Sequence, residues 1–297
     1  MRLSQAAGQR LVALVPTLWL VLLFLVPFLI VFRISFSEVR LAIPPYTPLL
    51  SWHNGSPSVE LHWSAYSYLF TDPLYVSSYL YSLKVAAVST LCCLLIGYPM
   101  AYAIAHAAPA TRAVLLMLIV LPFWTSFLLR VYAWIGLLKN NGIINNALLY
   151  LHLIDHPLAL LQTDFAVYIG IVYSYLPFMI LPLYANLEKH DPALLEAAAD
   201  LGARPFRAFL RITLPQSLPG IVAGSLLVFI PAVGEYVIPT LLGRTDQLMI
   251  GRVLSDEFFE NRDWPVASAV AILILLLLII PIMLFQRAQR RELEAAP

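Results

Sequence analysis

Apolar residues run without a charge from Leu11 to Phe32, a stretch long enough to cross a bilayer as one helix. Five further apolar stretches follow, at 85–105, 113–137, 165–187, 217–242 and 265–286, each separated from the next by polar residues. The pattern predicts an all-α integral membrane protein with six transmembrane helices. Its expected organisation is an N-terminal tail 1–10, a first span 11–32, a loop 33–78, a transmembrane domain 79–286 and a tail 287–297. The first span is expected to be retained, because Arg33, Phe36 and Glu38 follow it where a cleaved signal would carry small residues. The loop 33–78 holds Pro44, Pro45, Tyr46, Trp52, Trp63 and Tyr66, enough aromatic surface to pack upon itself. A short amphipathic helix is expected from Ile143 to Leu153, in the loop 139–163. Pro231 and Gly234 are expected to break the fifth span.

Composition agrees. Of 297 residues, 61% are hydrophobic and only 12% are charged, and the mean hydropathy is +0.81. A soluble domain does not look like that. The net charge of +1 gives no electrostatic reason for nucleic-acid binding. Cys92 and Cys93 are adjacent inside an apolar run and are expected to be packed side chains, not a disulfide or a metal pair. His152 and His156 lack a third ligand nearby, so no metal site is expected. There is no phosphate-binding glycine loop ending in Gly-Lys-Ser or Gly-Lys-Thr, so the chain is not expected to hydrolyse ATP.

Basic residues set the expected orientation. With both termini in the cytoplasm, the inner segments hold Arg2, Arg10, Arg112, Lys189, Arg204, Arg207, Arg211, Arg287, Arg290 and Arg291. The outer loops hold Arg33, Arg40, Lys139, Arg244, Arg252 and Arg262, and they carry more acids than bases. That bias puts the loop 188–216 in the cytoplasm.

The loop 188–216 is the main polar interlude in the second half. Asp191-Pro192 reads as a helix cap and first helical residue, and Gly202 as a left-handed stop. Leu194, Leu195, Ala197, Ala198 and Leu201 supply an apolar face. Pro205 opens a second short helix with Phe206, Phe209 and Leu210 on one side and Arg204, Arg207 and Arg211 in water. Pro215 and Pro219 are expected to close it.

Glu235 is the sharpest single residue. It falls inside the fifth span, where a carboxylate costs roughly 2.5–3.5 kcal/mol. Two roles are open: a ligand for an ammonium group, aided by carbonyls freed at the break, or an ion pair with Arg130 that holds two helices together. A continuous third helix puts Arg130 about 27 Å beyond Arg112, at a depth like that of Glu235. Trp124, Phe127 and Val131 are spaced to share one face of that helix, and the two aromatic rings suit a cation. Tyr132 and Trp134 fit an interfacial belt equally well.

The interlude also resembles a family motif. Glu196, Ala197, Ala198, Gly202, Ile212, Leu214 and Pro215 match, at every fixed spacing, the cytoplasmic loop of permease subunits of ATP-binding-cassette importers. The resemblance implies a type I importer transmembrane fold and a coupling helix docked on a cytosolic ATPase dimer, with Arg204 and Phe206 on the docking side. ATP and magnesium would be bound by that partner, and no cofactor by this chain. A narrower resemblance runs over nearly the whole chain. Pro122 to Trp134, Gly142 to Asn146, Phe229 to Pro239 and Asn261 to Val270 are similar to the first permease of bacterial polyamine importers. Ala42 to Thr47 points to the putrescine-type branch, and Arg244 departs from it. This resemblance implies uptake of putrescine or spermidine, a homologous second permease, a periplasmic polyamine-binding protein and residence in the inner membrane. It also implies a substrate path through Glu235, Tyr236, Trp124, Phe127, Arg130 and Tyr132. A permease for another small cation or an amino-acid-like solute is the alternative, and a stand-alone secondary transporter a more distant one.

Overall fold

Helix breaks, more than helices, set the architecture of this chain. A computed structural model describes residues 5–53 and 56–295, with side chains for 12–49 and 60–283. The side chains of Arg2, Arg10, Trp52, Arg287, Arg290 and Arg291 lie outside the described residues. In order the elements are α1 (Gln5–Leu20), a π turn (Val21–Leu25), α2 (Val26–Ile34), β1 (Leu50–His53), β2 (Ser56–Val59), α3 (Ser64–Thr71), α4 (Pro73–Ala105), α5 (Pro109–Val120) and a 3₁₀ turn (Leu121–Trp124). Next come α6 (Phe127–Leu138), α7 (Ile143–Tyr150), α8 (Asp164–Leu187), α9 (Pro192–Asp200), α10 (Pro205–Ala208), a second π turn (Phe209–Thr213) and α11 (Leu214–Gln216). The last are α12 (Leu218–Val233), α13 (Val237–Leu242), α14 (Ile250–Phe259) and α15 (Trp264–Ala295).

Four straight helices are long and apolar enough to cross a membrane: Val12–Ile34, Pro73–Ala105, Asp164–Leu187 and Trp264–Met283. Two bent pairs bring the number to six if each is one span. Pro109–Trp124 meets Phe127–Tyr150 at 90°, and Pro205–Gln216 meets Leu218–Val233 at 62°. The 90° bend departs from the straight third helix that apolarity alone suggests. Pro122 starts a tighter turn, and extended backbone at Thr125 and Ser126 then ends it. Helix α4 begins well before its apolar stretch because Asp72 caps it, accepting from the Leu74 N–H at 2.8 Å. Helix α7 ends at Tyr150, short of the expected Leu153.

Contacts divide the chain into two units. In the unit of residues 1–76 and 254–277, the loop after α2 packs on its own rings. Phe36 lies 5.0 Å from Trp63 and 5.4 Å from Tyr66, and the Tyr66 hydroxyl meets the buried Ser35 hydroxyl at 2.9 Å. Antiparallel β1 and β2 are local exceptions to the helical pattern.

In the unit of residues 77–253 and 278–297, α8 and α12 form the main helix pair. Small residues let their backbones approach: Gly220 and Gly224, one turn apart on α12, face Asn186 and Met179 of α8. A Cβ at Gly224 would lie 2.8 Å from Met179 Sδ and 3.1 Å from the Met179 carbonyl oxygen. Around this pair Cys93, Tyr98, Ile104, Ile180, Leu183 and Val228 are buried in one cluster. Val85, Val131, Ile171, Val233, Ile238 and Met249 belong to another. Both cysteines are free, and Cys93 is fully buried.

Gly224→Val should therefore destabilise the purified chain by about 1–3 kcal/mol. Thermal unfolding in lipid nanodiscs should register a lower midpoint. Gly136→Ala, where a Cβ meets nothing within 4 Å, should leave the midpoint in place. Equal midpoints for Gly224→Val and the parent would contradict this packing.

Candidate functional site

The fifth span stops inside its apolar run. Helix α12 carries straight through Pro231 and ends at Val233, with Gly234, Glu235 and Tyr236 non-helical before α13 resumes. Pro231 sits one turn from the end, so the backbone it disturbs is already close to the break. The first N–H groups of α13 would be left without partners in lipid, and the Glu235 carboxylate takes them. Its Oε1 accepts from the Val237 N–H at 3.0 Å and the Ile238 N–H at 3.3 Å. Its Oε2 accepts from the Tyr175 hydroxyl of α8 at 2.5 Å. Glu235 is only 8% exposed. On the other side, α14 presses Gly251 against the carbonyls of Gly234 and Glu235, where any Cβ would collide with backbone. Those carbonyls, expected to be free for a ligand, are covered by α14.

Arg130 does not pair with Glu235. Among the described residues, no ion pair joins Glu235 to any cationic side chain. The depth match fails because it assumed a straight third helix, and the 90° bend redirects α6. The Arg130 guanidinium instead lies over the rings of Phe123 and Phe127, at 5.1 and 5.8 Å. The same bend splits the expected aromatic face. Trp124 precedes the break and is 76% exposed, while Val131 follows it and is buried. Phe127 and Arg130 are half-buried, and Tyr132 and Tyr236 are exposed.

The loop between α8 and α12 forms the helical hairpin expected of it. Asp191 caps α9, accepting from the Ala193 N–H at 3.0 Å, and Gly202 adopts φ +77° at its end. No residue of α9 is buried: Glu196 and Ala197 are exposed, Ala198 is half-buried, and Leu194 and Leu201 lie open. The second arm differs from expectation in two ways. Phe206 in α10 and Phe209 at the start of the π turn do not share an environment. Phe206 points outward and is 71% exposed, whereas Phe209 packs edge-on against Tyr98 at 5.7 Å. Pro215 does not close the arm either. The helix passes through it and turns at Ser217, whose hydroxyl donates to the Leu214 carbonyl at 2.8 Å and meets the Tyr98 hydroxyl at 2.9 Å. Arg204, Arg207, Arg211 and Pro215 are exposed; Ile212 and Leu214 are half-buried. A cavity of about 390 Å³ under the hairpin is lined by His106, Arg112, Glu188, Asp191, Glu196 and Ile212, among others. Arg112 closes its base, donating to Glu188 at 2.7 Å and to the Ala105 carbonyl at 2.8 Å.

Two supports escaped sequence reasoning. Asn145 is fully buried and staples the loop after α7, donating to the Leu158 carbonyl at 3.0 Å and accepting from the Leu158 N–H at 2.8 Å. An Asn inside a short helix followed by irregular chain was its only signal. Gly251 had none, since its need for closeness arises from a distant segment. Among the described residues no group of three His, Cys, Asp or Glu side chains could hold a metal.

Known proteins complete the picture. Residues 10–294 match the family described as binding-protein-dependent transport system inner membrane component. The chain belongs to that family. Within it, the chain is 39% identical over 290 residues to the spermidine/putrescine transport system permease protein PotB of Haemophilus influenzae, covering 98% of this chain and 97% of the relative. PotB of Escherichia coli is 43% identical over 219 residues, covering 74% and 80%. The fold matches a chain of the crystal structure of a bacterial alginate ABC transporter in complex with an alginate pentasaccharide-bound periplasmic protein. The TM-score is 0.74 at 17% identity, over 98% of both chains. Members of the family are multi-pass transport subunits of the inner membrane, not enzymes. They work with a separate ATPase and a substrate-binding protein.

Glu235→Gln should keep the cap, since its amide oxygen can still accept from Val237 and Ile238 while its NH2 donates to the Tyr175 hydroxyl oxygen. Glu235→Ala strands all three donors and should cost about 1–3 kcal/mol. Thermal midpoints of the two variants should differ accordingly, and an alanine variant as stable as the glutamine one would contradict the capping role.

Proposed function

We propose that this chain is one of two homologous permeases of a polyamine importer, taking up putrescine or spermidine delivered by a periplasmic binding protein. Its likeness to two PotB proteins supports the substrate class. The observation that carries the reading in this chain is Glu235, a buried carboxylate in a broken span that, among the described residues, pairs with no cationic side chain. Three of its roughly four acceptor positions are taken, which leaves one on Oε2. An ammonium group matches both that position and the charge. The exposed rings of Tyr236, Trp124 and Tyr132 offer π faces to the alkyl-ammonium chain. Arg130 and Phe127, engaged with each other, hold α6 in place.

Energy comes from outside the chain. ATP and magnesium are bound by a cytosolic ATPase dimer, gripped at α9 and the second arm through Glu196, Ala197, Ala198, Gly202, Arg204, Phe206, Ile212, Leu214 and Pro215. Both termini lie in the cytoplasm with this hairpin. Phe209 between Tyr98 and Tyr102, and Ser217 on Tyr98, pass a movement of the hairpin to α4 and α12.

In proteoliposomes holding the whole importer, ATP-driven putrescine uptake should be competed by spermidine and not by amino acids or molybdate. Glu235→Gln should lower uptake at least about tenfold, the worth of one charge-assisted hydrogen bond. Competition by an unrelated solute, or unchanged uptake in Glu235→Gln, would contradict the polyamine reading. Phe206→Asp alters only an exposed ring. It should leave the chain's thermal midpoint unchanged while cutting co-purification of the ATPase at least about fivefold. Undiminished co-purification would remove Phe206 from the interface.

A further inference from the structure

A cavity of about 490 Å³ lies within the unit of residues 1–76 and 254–277. Helix α3 lines it with Ser67, Tyr68 and Thr71. The segment after α2 contributes Ser37, and Asp263 lines it just before α15. Its polar groups present acceptors. Ser67 donates its hydroxyl proton to the Ser64 carbonyl at 2.8 Å, and Thr71 donates to the Ser67 carbonyl at 2.7 Å. Each of these oxygens keeps its lone pairs while its proton is committed. Asp263 uses Oδ1 to cap α15 through the Val266 N–H at 3.0 Å and keeps Oδ2.

Among the described residues Asp263 forms no ion pair, and Arg262 beside it is exposed and pairs with no acid. Burial holds the Asp263 carboxyl above the usual carboxylate range, and the charge of Glu257 adds to the effect. Ser37 is the second, independent sign. It is 1% exposed, it lines the cavity, and its hydroxyl has no hydrogen-bond partner. A cap on α15 would explain Asp263 by itself, but it leaves the buried Ser37 hydroxyl unaccounted for. A lining of acceptors with one carboxylate calls for a ligand rich in N–H donors and carrying positive charge. A metal ion is a poor match, because no second carboxylate, His or Cys lines the cavity.

We propose that this cavity is a second cation site, separate from Glu235, that holds a primary ammonium group on the Asp263 carboxylate with the hydroxyl oxygens of Ser37, Ser67 and Thr71 as further acceptors. That the natural ligand is a polyamine rests on the function proposed above; the site itself does not.

The test uses the two permeases with their ATPase in lipid nanodiscs, without the periplasmic binding protein, whose own site would mask the result, and measures radiolabelled butylammonium and putrescine by equilibrium dialysis. In a Glu235→Gln background one saturable site should remain. Adding Asp263→Asn should raise its Kd at least about tenfold. Asn caps a helix as well as Asp does, so the fold should survive. Ser37→Ala, which touches no cap, should weaken binding about threefold, and it decides the matter if Asp263→Asn fails to fold. No saturable site in the Glu235→Gln background, or a Kd that neither substitution changes, would overturn the proposal. ATP-driven polyamine uptake by the parent importer, measured in parallel, reports separately on the substrate class. Its absence would sink that reading and leave the butylammonium result standing.

Discussion

A peptide group inside a bilayer has no water to bond, so a helix that breaks there must find partners for what it frees. Among the described residues, two breaks within spans and the junction of the hairpin with α12 each carry a polar side chain. Thr125 donates back to the Pro122 carbonyl at 2.8 Å where the third span bends. Ser217 donates to the Leu214 carbonyl at 2.8 Å where the hairpin joins α12. Glu235 does the opposite, accepting the two N–H groups that open α13. The first two satisfy an acceptor with a neutral hydroxyl. The third satisfies donors with a carboxylate, and so brings a charge that the cap alone does not require.

That difference links fold to function. A Gln or Ser at position 235 could cap α13 without the cost of a buried charge. The carboxylate is held in position by Tyr175 on α8, and Gly251 of α14 closes the backbone side of the break. The close α8–α12 packing at Gly220 and Gly224 fixes the frame in which Tyr175 and Glu235 meet. At the other end of α12, Ser217 and Tyr98 tie the frame to the hairpin that carries the open apolar residues Leu194, Leu201 and Phe206. One helix therefore has the Glu235 break at one end and a hairpin with open apolar residues at the other.

Much of this was legible in residue order. Long apolar runs are a strong signal in a membrane protein, and the helical class followed from them. The α9 cap at Asp191, the stop at Gly202 and the break near Gly234 were readable because each depends on neighbours in sequence. What escaped depends on three-dimensional placement. The 90° bend at Thr125 and Ser126 has no distinctive local signal beyond Pro122, so a straight helix kept Arg130 open as one of two partners for Glu235. Phe209 turns inward because Tyr98 of α4 is there to meet it, and spacing along the hairpin says nothing of that partner. Gly251, Asn145 and Tyr175 matter through segments outside their own helices, and periodicity carries no information about those.

The most direct test is a structure of the complete importer trapped with putrescine between its two permeases, ATP hydrolysis having been blocked. One terminal ammonium should lie within hydrogen-bond distance of Glu235 Oε2, with the Val237 and Ile238 N–H bonds to Oε1 retained. Putrescine bound away from Glu235, with that carboxylate still contacting only Tyr175, Val237 and Ile238, would contradict the account.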